Sequence, residues 1–349
     1  MPRVSVVMPV YNGGRYLRKA VYSVLRQHFN DFEFIIIDDG SSDGSQEIVR
    51  QSGDSRIVFS QNEKNMGVAN TLNKGMDLAR GEYIARMDAD DVCLPDRLER
   101  QVRFMQAHPE VGISGSWIRL FGNGLPYTAK VPLAQDEVSA YMLFENPFWH
   151  MTVIMRRQPL EDAGLRYDAS FTRSEDFELW TRAVEHCQMV NMGEVCVRVR
   201  RCAGSATRAN WEEVTAQTEQ ILGRMLERFG MKVTPQEVAF HHKVGRGYRL
   251  QSRDEVEKAE AWLLRILAEN RRRRVYLEDA LHKVLATVWF RVCANSGPLG
   301  PWIWRRWRHS PLSLGGRIRA SEMLRFWAGI VRHAGRAATV PRQQAETEV

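Results

Sequence analysis

A chain of 349 residues is long for one core and implies a large domain with an extension, or two domains. Its 44% hydrophobic and 26% charged residues fit a soluble globular protein, and no apolar run approaches the roughly 18 residues of a membrane span. The formal charge of +7 suits nucleic acid, phosphate-rich ligands or an anionic membrane surface without choosing among them.

The first elements follow one another in a regular pattern. "VSVVMPV" (4–10) is a β-branched apolar run that predicts a buried strand. Asn12-Gly13-Gly14 is a turn, and Leu17, Val21, Val24 and Leu25 at helical spacing predict a helix after it. "FEFIIIDDGSSDGS" predicts a second strand ending in acids, Gly and Ser; "QEIVRQS" predicts a helix and "RIVFSQ" a third strand. "GVANTLNKGMDLARG" predicts a third helix, with Leu72, Met76 and Ala79 on one side and Gly81 as its C′ residue. "EYIARM" is the fourth strand. Alternation of this kind means βαβ crossovers and a mainly parallel, Rossmann-like α/β sheet with flanking helices. Ligands of such sheets bind at the carboxyl ends of strands, where "PVYNGG", "DDGSSD" and "DADD" all fall.

The pattern weakens after residue 110. "VGISGSWIRLF", "HMTVIMRR" and "MVNMGEVCVRVR" predict strands and "SEDFELWTRAVEHC" a short helix. From about Asn210 the chain reads as helical: "WEEVTAQTEQILGRMLERFG", then "DEVEKAEAWLLRILAENRRRRVYLEDALHKVLATVWFRV" as one stretch, then "RIRASEMLRFWAGIVRHA". The expected division is therefore an α/β domain over 1–209 and a helical extension over 210–349. The polar tail after Ala334 is expected to fray.

Cys93, Cys187, Cys196, Cys202 and Cys293 form no CxxC and have no His pair at zinc spacing, which points to reduced thiols in a cytosolic protein. "MPRVSVVMPVYNGG" lacks the features of a secretion signal.

Asp88, Asp90 and Asp91 lie within four residues at the end of the fourth strand. Crowded carboxylates repel unless a cation or several donors compensate them, so this is a candidate Mg²⁺ or Mn²⁺ site beside a diphosphate. A solvated acidic turn before Pro95, with Asp91 capping a helix, fits the same residues. Asp38 and Asp39 end the second strand, where an acid often reads a nucleotide, but Asp-Gly-Ser-Ser is also strong turn chemistry. A nicotinamide dinucleotide site is disfavoured, because "VYNGGRYL" stands where G-x-G-x-x-G would be needed. In "TRSEDFELWTRA", Thr172 and Glu175 match a capping box. Asp176 shares a helical face with Leu179, Trp180 and Ala183, which should point inward, and a carboxylate there points to function.

Together, "VSVVMPVYNGGRYL", "FIIIDDGSSDGS", "NMGVANTLNKGMDLARGEYIARMDADD" and "SEDFELWTRA" resemble an inverting, nucleotide-sugar-dependent glycosyltransferase of family 2 with the GT-A fold. The resemblance covers roughly the first 200 residues. It implies that Pro9, Val10, Tyr11 and Asn12 line the nucleotide pocket and that Asp39 bonds the base, usually uracil, with Asp38 beside it. It implies that Asp88 approaches the ribose and sugar, that Asp90, with Asp88, binds a divalent metal, and that Asp176 is the catalytic base. It also makes Glu175 and His150 candidate acceptor contacts, although His150 suits a structural role equally well. Relatives often carry Tyr-Arg-x-His where this chain has Val197-Arg198-Val199-Arg200, so the loop offers no third metal ligand of that kind. Arg198, Arg200 or Arg201 would neutralise the diphosphate directly, or form a solvated strand face. The implied partners are a nucleotide-sugar donor and a glycan or lipid-linked acceptor, in the cytoplasm or at the inner face of its membrane.

Between Trp302 and Arg319 stand Arg305, Arg306, Arg308, Arg317 and Arg319, interleaved with Trp302, Trp304 and Trp307 and with no acid. Ala320, Met323, Leu324, Trp327 and Val331 follow on one helical side. That composition suits a membrane-surface anchor and, equally, a helix packed on the protein. No nucleic-acid motif accompanies it. Two other functions remain open at this point: a haloacid-dehalogenase-like phosphatase with Asp88 as nucleophile, and a non-catalytic binder or scaffold.

Overall fold

The computed structural model describes residues 1–201, 210–314 and 320–337. Cys202, Arg317, Arg319 and the tail beyond 337 lie outside the described residues. The chain forms two compact units, one of residues 1–142 and 146–221, the other of 143–145 and 222–349. The division falls inside the helix Trp211–Arg228.

In the first unit the strands are β1 (Val4–Val10), β2 (Phe32–Asp38), β3 (Ile57–Gln61), β4 (Tyr83–Arg86), β5 (Val92–Cys93), β6 (Val111–Gly122), β7 (Tyr127–Ala129), β8 (Ile154–Arg156) and β9 (Gln188–Arg201). They form one sheet in the order β3-β2-β1-β4-β8-β6-β9-β5, with β7 added beside β6. The first four strands are parallel, as expected from crossovers through the helices α1 (Gly14–Leu25), α2 (Ser45–Arg50) and α3 (Val68–Leu78). Every residue of β2 is buried, because helices cover both faces and leave no solvated side for polar alternation. Val4, Val6, Met8 and Val10 pack against Leu17, Val21 and Val24 of α1 and against Leu98, Val102 and Met105 of α4 (Arg97–Ala107).

Beyond β4 the sheet is mixed. β8 runs antiparallel to β4 and β6, β6 is parallel to β9, and β5 returns antiparallel to β9. That last pairing sets Val92 opposite Arg198 and brings β9 back to the acidic loop after β4. The remaining helices of this unit include α5 (Gln135–Tyr141), α6 (Arg157–Asp162) and α7 (Glu175–Ala183).

Gly81 is not a helix C′ residue. α3 ends at Leu78, and Ala79 is already extended. A Cβ on Gly81 would lie 2.6 Å from Ser5 N, so the glycine is there for close approach to β1. "HMTVIMRR" forms a 3₁₀ turn, His150–Thr152, before the three residues of β8.

The second unit is helical. Thr234 and Glu237 make a reciprocal capping box at the start of Pro235–Gly245. The stretch expected as one helix is two, Arg253–Arg273 and Glu278–Asn295. Arg274 adopts a left-handed conformation (φ 56°), and the Asn270 side chain bonds both N and O of Tyr276, closing the break. The helices Pro301–His309 and Ala320–Ala337 complete the unit.

Candidate functional site

The loops after β1 and β2 are tied at their roots by Asp39 N–H donating to Val10 O (2.7 Å). Asn12 sits at φ 50°, a conformation Asn tolerates, and its Oδ1 accepts from Ser42 N–H (2.9 Å). Asp39 is buried and organises the loop after β3. Its Oδ1 accepts from Asn62 Nδ2 (2.8 Å) and Met66 N (2.8 Å), and its Oδ2 from Gly67 N (3.0 Å). Gly40 lets these loops approach: it has φ +75°, and a Cβ there would lie 2.8 Å from the Lys64 carbonyl carbon.

A cleft of about 740 Å³ opens over these loops, lined by Pro9, Val10, Tyr11, Asn12, Asp39, Arg86, Asp88 and Asp90 among others. Asp38 is not on its wall. It is turned inward, with Oδ2 accepting from Ser41 N (3.2 Å) and Gln46 Nε2 (2.9 Å), so it builds the turn rather than the cleft.

One carboxylate oxygen from each of Asp88, Asp90 and Asp91 lies within 4.8 Å of the other two. Asp91 is buried, and its Oδ1 accepts from Arg200 N–H (2.8 Å). It caps no helix: β5 follows directly, and α4 begins only at Arg97. Burial pushes the Asp91 carboxyl up to about 8, with the charges of Asp88 and Asp90 adding to the effect. Burial and then Asp88 raise Asp90 in the same direction. Three hard oxygen donors crowded against their own repulsion fit Mg²⁺ or Mn²⁺ far better than a soft metal.

Arg86 ends β4 as a buried guanidinium whose Nη1 pairs with Asp88 Oδ1. The charges of Asp88 and of Glu175 both stabilise it. A buried charge is tolerated only when opposite charges face it, so Arg86 links two acidic groups.

The second group is built on α7 and the segment before β8. His150 Nδ1 lies 3.8 Å from Glu175 Oε1 and 4.0 Å from Asp176 Oδ2, and its Nε2 is 2.9 Å from the Tyr167 hydroxyl. Asn146 Nδ2 donates to Asp176 Oδ2 (2.8 Å), and Phe177 N donates to Asp176 Oδ1 (2.7 Å). Burial, and then Asp176, push Glu175 up to about 8, while burial raises Asp176. Burial and the nearby Arg86 hold His150 well below its ordinary range, so it is neutral. Asp176 keeps 16% of its side chain exposed against 9% for Glu175 and His150, which makes it the more reachable acid.

The capping box expected at Thr172 and Glu175 does not form. Ser174 precedes α7 without a side-chain cap, and Thr172 Oγ1 bonds Glu213 and accepts from Gln217 Nε2 (2.9 Å). Glu175 is therefore a buried acid beside Asp176 with no capping duty. Leu179, Trp180 and Ala183 are buried on the face anticipated for them.

The structure thus gathers Pro9, Val10, Tyr11, Asn12, Asp39, Asp88 and Asp90 on one cleft. Asp176, Glu175 and His150 form a second cluster off the cleft wall, whose charges face Arg86. Arg200 reaches the acidic loop: its Nε donates to Asp90 O (3.1 Å), and its guanidinium stacks on Tyr16 (4.1 Å). Arg198 does not; it lies between β5 and β6, with its side chain exposed over Phe121 (4.8 Å). Arg86, Asn146 and Tyr167 escaped the sequence reading. Of the three, Arg86 alone left a signal, a cation ending a buried strand just before "DADD". A phosphatase nucleophile at Asp88 fits poorly, because that carboxylate is ion-paired and follows the fourth strand rather than the first.

Residues 5–164 match the family described as Glycosyl transferase family 2. An uncharacterized glycosyltransferase of Methanocaldococcus jannaschii, MJ1057, is 35% identical over 190 residues, 52% of this chain; the chain spans 65% of that relative's length. The amylovoran biosynthesis glycosyltransferase AmsE of Erwinia amylovora is 31% identical over 224 residues, covering 62% of this chain and 83% of that one. Two solved structures share the fold at low identity. S. aureus TarS 1-349 in complex with UDP-GlcNAc has a TM-score of 0.53 and 20% identity, over 81% of this chain and 90% of that one. Mannosyltransferase PcManGT of Pyrobaculum calidifontis, in complex with GDP-Man and Mn²⁺, has 0.53 and 17% identity, over 95% and 87%. With these similarities on the GT-A fold described above, the chain belongs to glycosyltransferase family 2.

Proposed function

We propose that this chain transfers a sugar from a nucleoside diphosphate donor, of the UDP-sugar class, to a hydroxyl of a glycan or lipid-linked acceptor, with inversion at the anomeric carbon. The observation that carries the reading is the continuity from Asp39 across the cleft to Asp88, Asp90 and Asp91, and through Arg86 to Asp176. Pro9, Val10, Tyr11, Asn12 and Asp39 take the nucleoside. Asp88, Asp90 and Asp91 are the residues that would hold a divalent cation, which when bound neutralises charge developing on the departing diphosphate. Arg200 adds a fixed positive charge at the same loop.

Asp176 takes the proton of the acceptor hydroxyl as that oxygen attacks C1 from the face opposite the diphosphate. One displacement exchanges the C–O bond to the leaving group for a C–O bond to the acceptor, which inverts the centre. Asn146 and Phe177 N–H orient the Asp176 carboxylate, and the burial that raises its proton affinity makes it a stronger base than an exposed aspartate. The second unit serves this catalytic domain as an accessory. AmsE's name places that relative in amylovoran biosynthesis, which supports a place for this chain in cell-surface polysaccharide synthesis, at the cytoplasmic face of the membrane.

The test is a panel of nucleotide sugars read by thermal shift with and without Mn²⁺, followed by transfer assays. Asp176→Asn should lower transfer by about 10²–10⁴-fold while sparing the donor-induced shift. Asp90→Asn should weaken metal-dependent donor binding by about tenfold or more. Normal transfer by both variants would refute the assignment.

A further inference from the structure

The final described helix, Ala320–Ala337, buries Phe326 and Ile330 but turns out the apolar side chains next to them. Leu324 is 70% exposed, Val331 65% and Trp327 39%. Spaced three and four residues apart, they form one stripe on the helix surface. The stripe expected from the sequence is thus divided: Met323 is partly buried, and the other three large apolar members face out. The stripe is continued by aromatic rings of Pro301–His309. The Trp304 ring lies 4.4 Å from Trp327 and 5.0 Å from Trp307.

The same segment is strongly basic. Residues 301–337 hold eight arginines against a single acid, Glu322, so they carry a formal +7, equal to the excess of the whole chain. Arg305, Arg308 and Arg325 are exposed on the two helices, whereas Arg306 is committed to Glu260 and Glu257. Among the described residues no helix is long and apolar enough to cross a membrane.

We propose that this face docks on an anionic lipid bilayer. Leu324, Trp327 and Val331 enter the boundary between headgroups and acyl chains, and Arg305, Arg308 and Arg325 lie among the lipid phosphates. Charge complementarity selects this occupant: a protein partner or second copy would need a dense acidic surface, and nucleic acid has no use for exposed Leu and Val. Trp at the interface, aliphatic residues below it and Arg beside it match the layers of a bilayer surface. The inference rests on the second unit alone and stands whether or not the transfer reading holds.

The experiment is co-sedimentation of the full chain with vesicles of phosphatidylcholine, with and without about 30% phosphatidylglycerol. The chain should bind the anionic vesicles, and added salt should weaken binding. Leu324→Gln/Trp327→Gln/Val331→Gln should lower binding by about tenfold or more, because each substitution removes apolar area from the interface. Its melting temperature should fall only slightly, since Leu324 and Val331 are exposed and Trp327 gives up its contact with Trp304. Arg305→Gln/Arg308→Gln/Arg325→Gln should lose the preference for anionic lipid. If the triple apolar variant misfolds, the two most exposed positions, Leu324→Gln/Val331→Gln, carry the same expectation. The proposal is overturned if the parent binds neither vesicle, or if the apolar variant binds as well as the parent. It is equally overturned if the stripe proves to hold a second copy, seen as a parent dimer that the variant breaks, or if single-stranded RNA binds in place of lipid.

Discussion

Glu175 and Asp176 are neighbouring acids that hold their protons to higher pH than exposed carboxyls do. Burial raises both, and the charge of Asp176 raises Glu175 further. A general base must be deprotonated to act, so kcat/KM should rise with pH along a limb above the ordinary carboxylate range. Glu175→Gln should leave that limb in place, because Glu175, raised to about 8 by burial and by the Asp176 charge, is still neutral when Asp176 titrates. A pH–rate profile of the two proteins checks this, and a limb moved to lower pH would mean that Glu175 ionises before Asp176. Asp176 was legible in the sequence because a carboxylate on an inward helical face is anomalous. Asn146, which orients it, and Tyr167, which holds His150, were not legible. Their partners lie 30 and 17 residues away, and local spacing carries no trace of such pairings.

The first four strands and three helices were readable because buried parallel strands are continuous β-branched runs and their crossover helices keep a 3.6-residue period. The rest of the sheet was harder. β5 has two residues and β7 and β8 three each, too few for any period to register. The break at Arg274 was hidden for another reason: its left-handed backbone is supported by Asn270 rather than announced by a glycine. Loop conformation also yields a prediction at this scale. Gly40→Ala puts a side chain at φ +75° against the backbone of Lys64 and Asn65. It should cost about 2 kcal/mol or more of stability and displace the loop that Asp39 organises. Urea denaturation reads the first effect, and a smaller donor-induced thermal shift reads the second. A variant as stable as the parent would show that the loop yields freely.

Across the whole molecule, buried titratable groups respond to acid, and the histidines among them weaken the fold as pH falls. In the second unit, His241 Nε2 donates to Leu143 O (2.5 Å) while Nδ1 accepts from Trp262 Nε1–H (2.9 Å). Protonation of Nδ1 would break the second bond inside the core, and burial accordingly lowers its pKa from 6.5 to about 4. A folded-state pKa below the unfolded one contributes stability that is full above 6.5 and lost as pH falls toward 4. The loss amounts to about 3 kcal/mol from this group. His150 contributes with the same sign in the first unit. Buried Asp91 and Glu175, with raised pKa values, act with the opposite sign over the same range, so the measure is a difference between proteins. The urea midpoint of the parent relative to His241→Gln should fall as pH goes from 7 to 4.5, and a constant difference would exclude His241 as a cause. The hydrogen bond from Arg200 N–H to Asp91 Oδ1 has a bearing of its own on engineering. It joins residues 109 apart, and the later one lies well beyond residue 164, where the family match ends. A chimera spliced at 164 would carry every acid of the cation loop and lack the strap that holds one of them in place. Domain exchange among relatives should therefore be cut beyond 221, where the first unit ends and where Glu213 and Gln217, the partners of Thr172, are kept.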